Sequence, residues 1–227
     1  DIIDQSKTKH GRPTVYGKYG KEIAILTADA LLFKGFTLLH EAYTQVPTEK
    51  AQKIMKTIKD RFYELGDAEA LELNLRERID ITPEEYLHIV RKKAADVEAH
   101  TRIAAILGNA TEKDENTLGK YGRQLGMIII IRDDILDLFD KKEAKHRIKK
   151  EHPPLPVIYA SAKMKSTGKK FYLQEFLKNI KKSEEVSYTK NIIEKLIEEA
   201  LLHLHKIKYK EKLEKFTYAF SILPIEY

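Results

Sequence analysis

Glycine and proline number only 17 in a chain of 227 residues. They gather at a few places instead of recurring about every ten residues, which argues against a sandwich or barrel built of short strands and regular turns. Between these clusters the apolar residues recur at helical spacing. The opening stretch Ser6 to Gly20, with Gly11, Pro13, Gly17 and Gly20, reads as a loop. From Lys21 to about Gln45 nearly every face is apolar (Ile23, Ile25, Leu26, Leu31, Leu32, Phe33, Phe36, Leu38, Leu39), so this helix is expected to be buried. Pro47 marks a fresh start, and an amphipathic stretch to about Arg78 carries Ile54, Ile58, Phe62, Leu65 and Leu71 as its stripe. Thr82-Pro83-Glu84-Glu85 then supplies a capping Thr, a proline at the first helical position and a Glu three residues after the cap. The helix it starts is predicted to run to about Leu107, before Gly108, and another from about Glu115 to Phe139. Pro153-Pro154 and Pro156 close a loop and open a shorter helix, and helical patterns continue to about Leu223. The expectation is an all-α fold of about eight helices, forming one domain over residues 1–227.

Composition excludes several function classes. There is no cysteine, so disulfides, thiol catalysis and thiolate metal sites are out. Lys and Arg total 41 against 35 Asp and Glu, a net +6, but the two signs are interleaved along most of the chain, which is not a nucleic-acid footprint. The one dense basic run, Lys141 to Lys150, lacks the interleaved aromatics that single-strand binding uses. It reads either as a solvated face or as positive charge serving the acidic motif before it. Unbroken apolar runs such as Met127 to Ile131 reach only five residues, far short of the ~20 of a membrane span, so no transmembrane segment is expected. Asp1-Ile2-Ile3-Asp4 does not open a signal peptide, and the expected compartment is the cytoplasm.

The chemistry-bearing residues are carboxylates. Asp133 and Asp137 lie four apart, one turn from each other on one helix face, directly after the apolar Met127–Ile131 run. Like charges at this spacing repel, and carboxylates near a helix C-terminus oppose the dipole. A divalent cation would offset both effects, and Mg²⁺ is usually held by one or two carboxylates with phosphate oxygens and water completing its shell. A solvated acidic helix end partnered by Arg132 accounts for the same residues. Asp1 and Asp4, three apart and followed by Lys7, Lys9, His10 and Arg12, form a second cluster of the same design. Two such clusters, each followed by cations, suit a polyanion bridged by metals. Glu69 and Glu72 make a third acidic pair, on a more generally charged stretch that favours a structural role.

These residues resemble the trans-isoprenyl diphosphate synthases, the polyprenyl synthetase family. Gly122-Arg123-Gln124-Leu125-Gly126 and Arg132-Asp133-Asp134-Ile135-Leu136-Asp137 resemble that family's second aspartate-rich motif with its lead-in. Asp1-Ile2-Ile3-Asp4-Gln5-Ser6 with Gly11-Arg12-Pro13-Thr14 resembles the first motif. Tyr19-Gly20, Ala24-Ile25-Leu26, Asp29-Ala30-Leu31, Ala68-Glu69-Ala70-Leu71-Glu72-Leu73 and Leu155-Pro156-Val157-Ile158 continue the likeness in the right order. The resemblance implies a helical bundle around a central cavity, usually a homodimer. It also implies Mg²⁺-dependent condensation of isopentenyl diphosphate with an allylic diphosphate. Carried over by position, Asp1, Asp4, Asp133 and Asp137 would hold metal, with Asp134 supporting. Lys93 would hold diphosphate and take part in catalysis with the second motif. Lys9 and His10 fall at the family's two arginines, with Arg12 as a supplement.

The chain departs from the family at several points. Only the second aspartate of the first motif's opening pair is matched, by Asp1, so an N-terminal segment of the family's helices is expected to be missing. Ala94 stands for the family's Thr, Ile130 for its Gln and Pro153-Pro154 for its Lys-Thr, while Lys145-His146-Arg147-Ile148-Lys149-Lys150 replaces its Gly-Lys loop. Ala94 and Ile130 keep open a second reading, a weakly active homologue that serves as the binding or regulatory subunit of a synthase.

Overall fold

A computed structural model describes residues 1–9, 11–76, 78, 80–168, 171–180 and 183–221. These divide into two compact units, residues 1–53 and residues 54–227.

In the first unit, β1 (Thr8–Lys9) and β2 (Arg12–Pro13) form a small antiparallel hairpin, and α1 spans Val15–Tyr43. Part of the stretch expected as loop is therefore ordered. Gly11, at φ 73°, adopts the left-handed backbone that the tight connection uses. Thr14 caps α1 by accepting from the Gly17 N–H at 2.9 Å, while its hydroxyl donates to the Ser6 carbonyl at 2.8 Å. The first helical turn abuts the hairpin so closely that a Cβ on Gly17 would fall 2.0 Å from the Lys7 carbonyl oxygen. Gly20, at φ 88°, kinks α1 near its start.

The expectation of a buried helix is not met by α1. Ala24 is its buried residue, and Leu26, Leu31, Leu32, Phe33, Phe36 and Leu38 are exposed. A hydrophobic pattern specifies that a surface wants cover, not what covers it. Asp29 and Lys34 interrupt the apolar run of this helix, and by length and composition alone an 18-residue stretch of α1, with a mean hydropathy of 1.5, is apolar enough to cross a membrane, a test that core helices also pass.

The boundary between units falls inside α2 (Thr48–Leu73). The second unit continues with α3 (Pro83–Lys93), α4 (Ala95–Leu107), α5 (Glu112–Asp137), α6 (Lys141–Lys150), α7 (Leu155–Ser166), α8 (Leu173–Asn179), α9 (Glu184–Leu204) and α10 (Glu211–Ser221). The capping box read at Thr82 is present, with Thr82 and Glu85 each bonding the other's backbone N–H. The single helix expected from Thr82 to Leu107 is two. It breaks at the fully buried Ala94 (φ −68°, ψ 3°), which presses against α5 where Gly126 leaves room. No glycine or proline marks that break. The α2 stripe is also shifted: Phe62 and Leu71 are exposed, whereas Ile54, Ala68 and Glu72 are buried.

The core of this unit forms around α5, which packs along α4 and α9. Tyr121, Ile128, Ile131 and Ile135 from α5 join Tyr86, Ile89 and Val90 from α3, Leu155 and Ile158 from α7, and Ile193, Ala200 and Leu204 from α9. A smaller apolar cluster of Leu138, Ala144, Val157, Ile180 and Val186 holds α6 against the end of α5.

Candidate functional site

The last turn of α5 delivers three carboxylates with different surroundings. Asp133 is the most open, its side chain 57% exposed, with Arg132 Nη1 at 3.2 Å from Oδ1. Asp137, one turn on, is 41% exposed, and its Oδ2 lies 2.5 Å from Arg147 Nη1. Asp134 is buried: it accepts from the Tyr86 hydroxyl at 2.5 Å and pairs with Arg147 Nη2 at 2.6 Å. Partial burial pushes the Asp133 carboxyl up from the usual carboxylate range, opposed by Arg132 and reinforced by Asp137 and Asp134. This is the crowding a bound cation would relieve.

The donor set can be tested against a divalent ion on these terms. Asp133 and Asp137 fit, since each keeps exposed carboxylate on one helix face. Asp134 does not, because its oxygens are enclosed and already bonded. No cluster of three or more ligating side chains occurs among the described residues, so an ion here would draw the rest of its shell from substrate and water.

Arg147 comes from the basic run. Instead of a solvated face, residues 141–150 form α6, and Arg147 turns inward with its side chain 15% exposed. The signal was present: Ala144 and Ile148, four apart within the charges, mark an inward stripe that also carries Arg147.

Lys93, at the end of α3, is ion-paired. Its ammonium lies against Glu72 and 3.3 Å from Glu69 Oε1. Glu72 also meets His152 Nε2, at 2.9 Å from Oε1, and the His152 ring packs edge-on to Tyr86 with centroids 5.5 Å apart. A continuous network thus runs Asp134–Tyr86–His152–Glu72–Lys93. Burial alone would raise the Glu72 carboxyl, but His152 and Lys93 outweigh it and hold it at about 2. Burial pulls His152 down, and the charges and hydrogen bond of Glu72 and Asp134 raise it overall. Burial likewise pulls Lys93 down, and Glu72 with Glu69 raises it, so its ammonium stays charged. Two of its three ammonium donors face carboxylates. Glu69 and Glu72 have the structural role expected of them, though it is exercised inside the candidate site. Tyr86 and His152 were missed in the sequence, where a tyrosine at helical spacing and a histidine before two prolines carry no distinctive pattern.

In the first unit, Asp1 and Asp4 lie in a turn, with the Ser6 N–H donating to the Asp1 carbonyl at 2.8 Å. Lys9 and Arg12 are directly opposite each other in the hairpin and both exposed. Like charges placed so repel, and an anion between them would reverse the sign of that term. His10 lies outside the described residues.

Further back along α5, Arg123 is buried among Glu98 (Nε to Oε2, 2.6 Å), Glu64 (Nη1 to Oε1, 2.8 Å) and the Arg91 carbonyl (2.7 Å). These residues line a polar cavity of about 490 Å³. They show how the second unit satisfies buried charge within its bundle.

The sequence model of the polyprenyl synthetase family matches residues 1–196. A geranylgeranyl diphosphate synthase of Sulfolobus acidocaldarius is 30% identical over 223 residues, covering 96% of this chain and 68% of that protein. A short chain isoprenyl diphosphate synthase of Methanocaldococcus jannaschii is 32% identical over 207 residues, covering 88% of this chain. This chain spans 62% of the latter's length. Among solved structures, a geranylgeranyl pyrophosphate synthetase from the archaeon Geoglobus acetivorans superposes with a TM-score of 0.81 at 25% identity, over 97% of this chain and 74% of that one. A heptaprenyl diphosphate synthase from Staphylococcus aureus gives 0.83 at 21% identity, over 97% and 73%, a likeness of fold.

Proposed function

This chain belongs to the polyprenyl synthetase family, and we propose that it condenses isopentenyl diphosphate with an allylic diphosphate to make a longer prenyl diphosphate. The observation that carries the reading is the division of labour at the end of α5. Asp133 and Asp137 offer exposed carboxylate one turn apart, while the buried Asp134 fixes them through Tyr86 and Arg147. Relatives named as synthases support an active enzyme over a regulatory homologue.

In this reading Asp133 and Asp137 would hold Mg²⁺ in the second unit, and Asp1 and Asp4 are the candidate ligands of the first. When bound, the metal supplies the positive charge that stabilises the departing diphosphate. Lys93, kept charged and oriented by Glu72 and Glu69, would bind diphosphate oxygens in the second unit, and the Lys9–Arg12 pair is the candidate anion site of the first. Ile129 and Ile130, partly buried one turn before the motif, extend the apolar wall that keeps water from the allylic cation. The family match runs through both compact units, which supports reading them as one domain.

The exposed apolar surface of α1 supports a homodimer built on that helix. Asp29 and Lys34 sit within its apolar run, and each would cost about 2.5–3.5 kcal/mol at the centre of a bilayer, which favours a protein partner. The defining experiment gives full-length protein Mg²⁺, labelled isopentenyl diphosphate and a series of allylic primers. The expected result is a longer prenyl diphosphate that disappears with chelator. No product from any primer overturns the assignment.

A further inference from the structure

We infer that Arg147 is a built-in counter-ion for the second aspartate motif, occupying Asp137 until a metal arrives together with diphosphate. The inference rests on reading Asp133 and Asp137 as metal ligands. Its basis is geometric. One guanidinium bridges two carboxylates of the motif, at 2.6 Å from Asp134 Oδ1 and 2.5 Å from Asp137 Oδ2. Burial disfavours its charge, and Asp134, Glu151 and Asp137 more than compensate, so the group stays cationic. It is therefore a fixed positive charge where an incoming cation would need Asp137.

The two bonds are not equivalent. Asp134 is enclosed, so its pair with Arg147 is dry and held. Asp137 is 41% exposed and can exchange partners through solvent. The remaining guanidinium geometry is incomplete: Nε is buried with no hydrogen-bond partner among the described residues, and Glu151 Oε2 lies 3.4 Å away. The pairs of the guanidinium with Asp134 and Glu151 do not depend on Asp137, so letting Asp137 go leaves its charge partnered. On the helix side, Ala144 and Ile148 seat α6 in the apolar cluster beneath it, so Arg147 can release Asp137 while its backbone stays in place.

Mg²⁺ alone must then either displace the Arg147 fork from Asp137 or sit beside a positive charge. Both oppose binding. A diphosphate entering with the metal removes the conflict, because its oxygens give the released guanidinium donors a new acceptor. Arg147 is thus a positioning residue that makes metal binding conditional on substrate.

The test is Mn²⁺ binding to the full-length protein, followed by electron paramagnetic resonance with and without inorganic diphosphate, alongside circular dichroism. Wild type is expected to bind Mn²⁺ weakly alone and more tightly with diphosphate. Arg147→Met should bind Mn²⁺ alone tighter, on the order of 10-fold, and gain less from diphosphate. A residue with a merely structural role would weaken the site when removed, so the sign decides. A folded Arg147→Met with unchanged or weaker Mn²⁺ affinity overturns the inference. Should that variant unfold, Arg147→Lys decides in its place. One ammonium cannot fork across both carboxylates, so tighter Mn²⁺ binding than wild type is expected, and equal or weaker binding overturns the inference. Wild type that binds no Mn²⁺ even with diphosphate instead overturns the metal reading itself.

Discussion

Asp133 and Asp134 are adjacent and chemically identical, and their surroundings assign them opposite roles. Removing Asp133, which is exposed and crowded by Asp137, is expected to leave folding within about 0.5 kcal/mol of wild type. Turnover of Asp133→Asn should nonetheless fall by ~100-fold or more, by analogy with the loss of one preorganised transition-state contact. Asp134→Ala strands the Tyr86 hydroxyl in the interior, leaves Arg147 only Asp137 and Glu151, and should cost about 1–3 kcal/mol in urea unfolding. Equal stability of the two variants would refute the division. A second expectation concerns Glu72 and His152. The Glu72 carboxyl, held at about 2, stabilises the fold above the ordinary carboxylate range and loses that contribution as pH falls toward 2. His152 is raised, so its contribution is complete below about 6.5 and fades as pH climbs past its folded value. The thermal midpoint of wild type minus that of Glu72→Gln should therefore be largest between about pH 4.5 and 6.5. A difference independent of pH would show that the pair does not titrate with folding. Residue types and spacing made the carboxylates legible in the sequence. The Tyr86 and Arg147 contacts were not, because they join positions 48 and 10 or more residues apart through packing.

Between α4 and α5, small residues allow a close approach. A Cβ at Gly126 would fall 2.7 Å from the Ala94 Cβ, and one at Gly122 would fall 2.2 Å from the Thr101 hydroxyl oxygen. Gly126→Ala gains up to about 1 kcal/mol of helix propensity but overpacks a buried contact, at a cost of about 1–3 kcal/mol. Net destabilisation is expected in a denaturant melt, and a rise in midpoint would mean that the helices can separate freely. Helix α5 was readable almost to its ends, since its helical pattern and apolar run agree. The break between α3 and α4 was not readable, because the close approach of Ala94 to Gly126 is a tertiary constraint with no local marker. Of the two readings of the basic run 141–150, Arg147 agrees with positive charge serving the acidic motif, and the run's two apolar residues were the guide to its inward face.

For the whole molecule, the open question is what covers α1. Leu31 and Phe33 are 67% and 74% exposed, and surface of this kind on a long helix fits a permanent partner. Light scattering on full-length protein should give the mass of a dimer. Phe33→Asp combined with Leu31→Lys should shift it toward monomer and lower the thermal midpoint. A monomeric wild type would send the search toward another occupant. All-helical architecture was legible from the pattern of glycine and proline, but the fate of an all-round apolar helix was not. Such a sequence records the need for cover and omits its source.

The anchoring of Asp134 makes α5 an indexed shaft. Each residue advances an α-helix by 100°, so deleting one residue between Gly126 and Asp133 would turn the whole terminal turn by that angle. The side chain reaching Tyr86 would then be a different one, and the open face would no longer carry two carboxylates one turn apart. The spacing between the glycines that clamp the shaft and the aspartates at its end is a count that cannot slip.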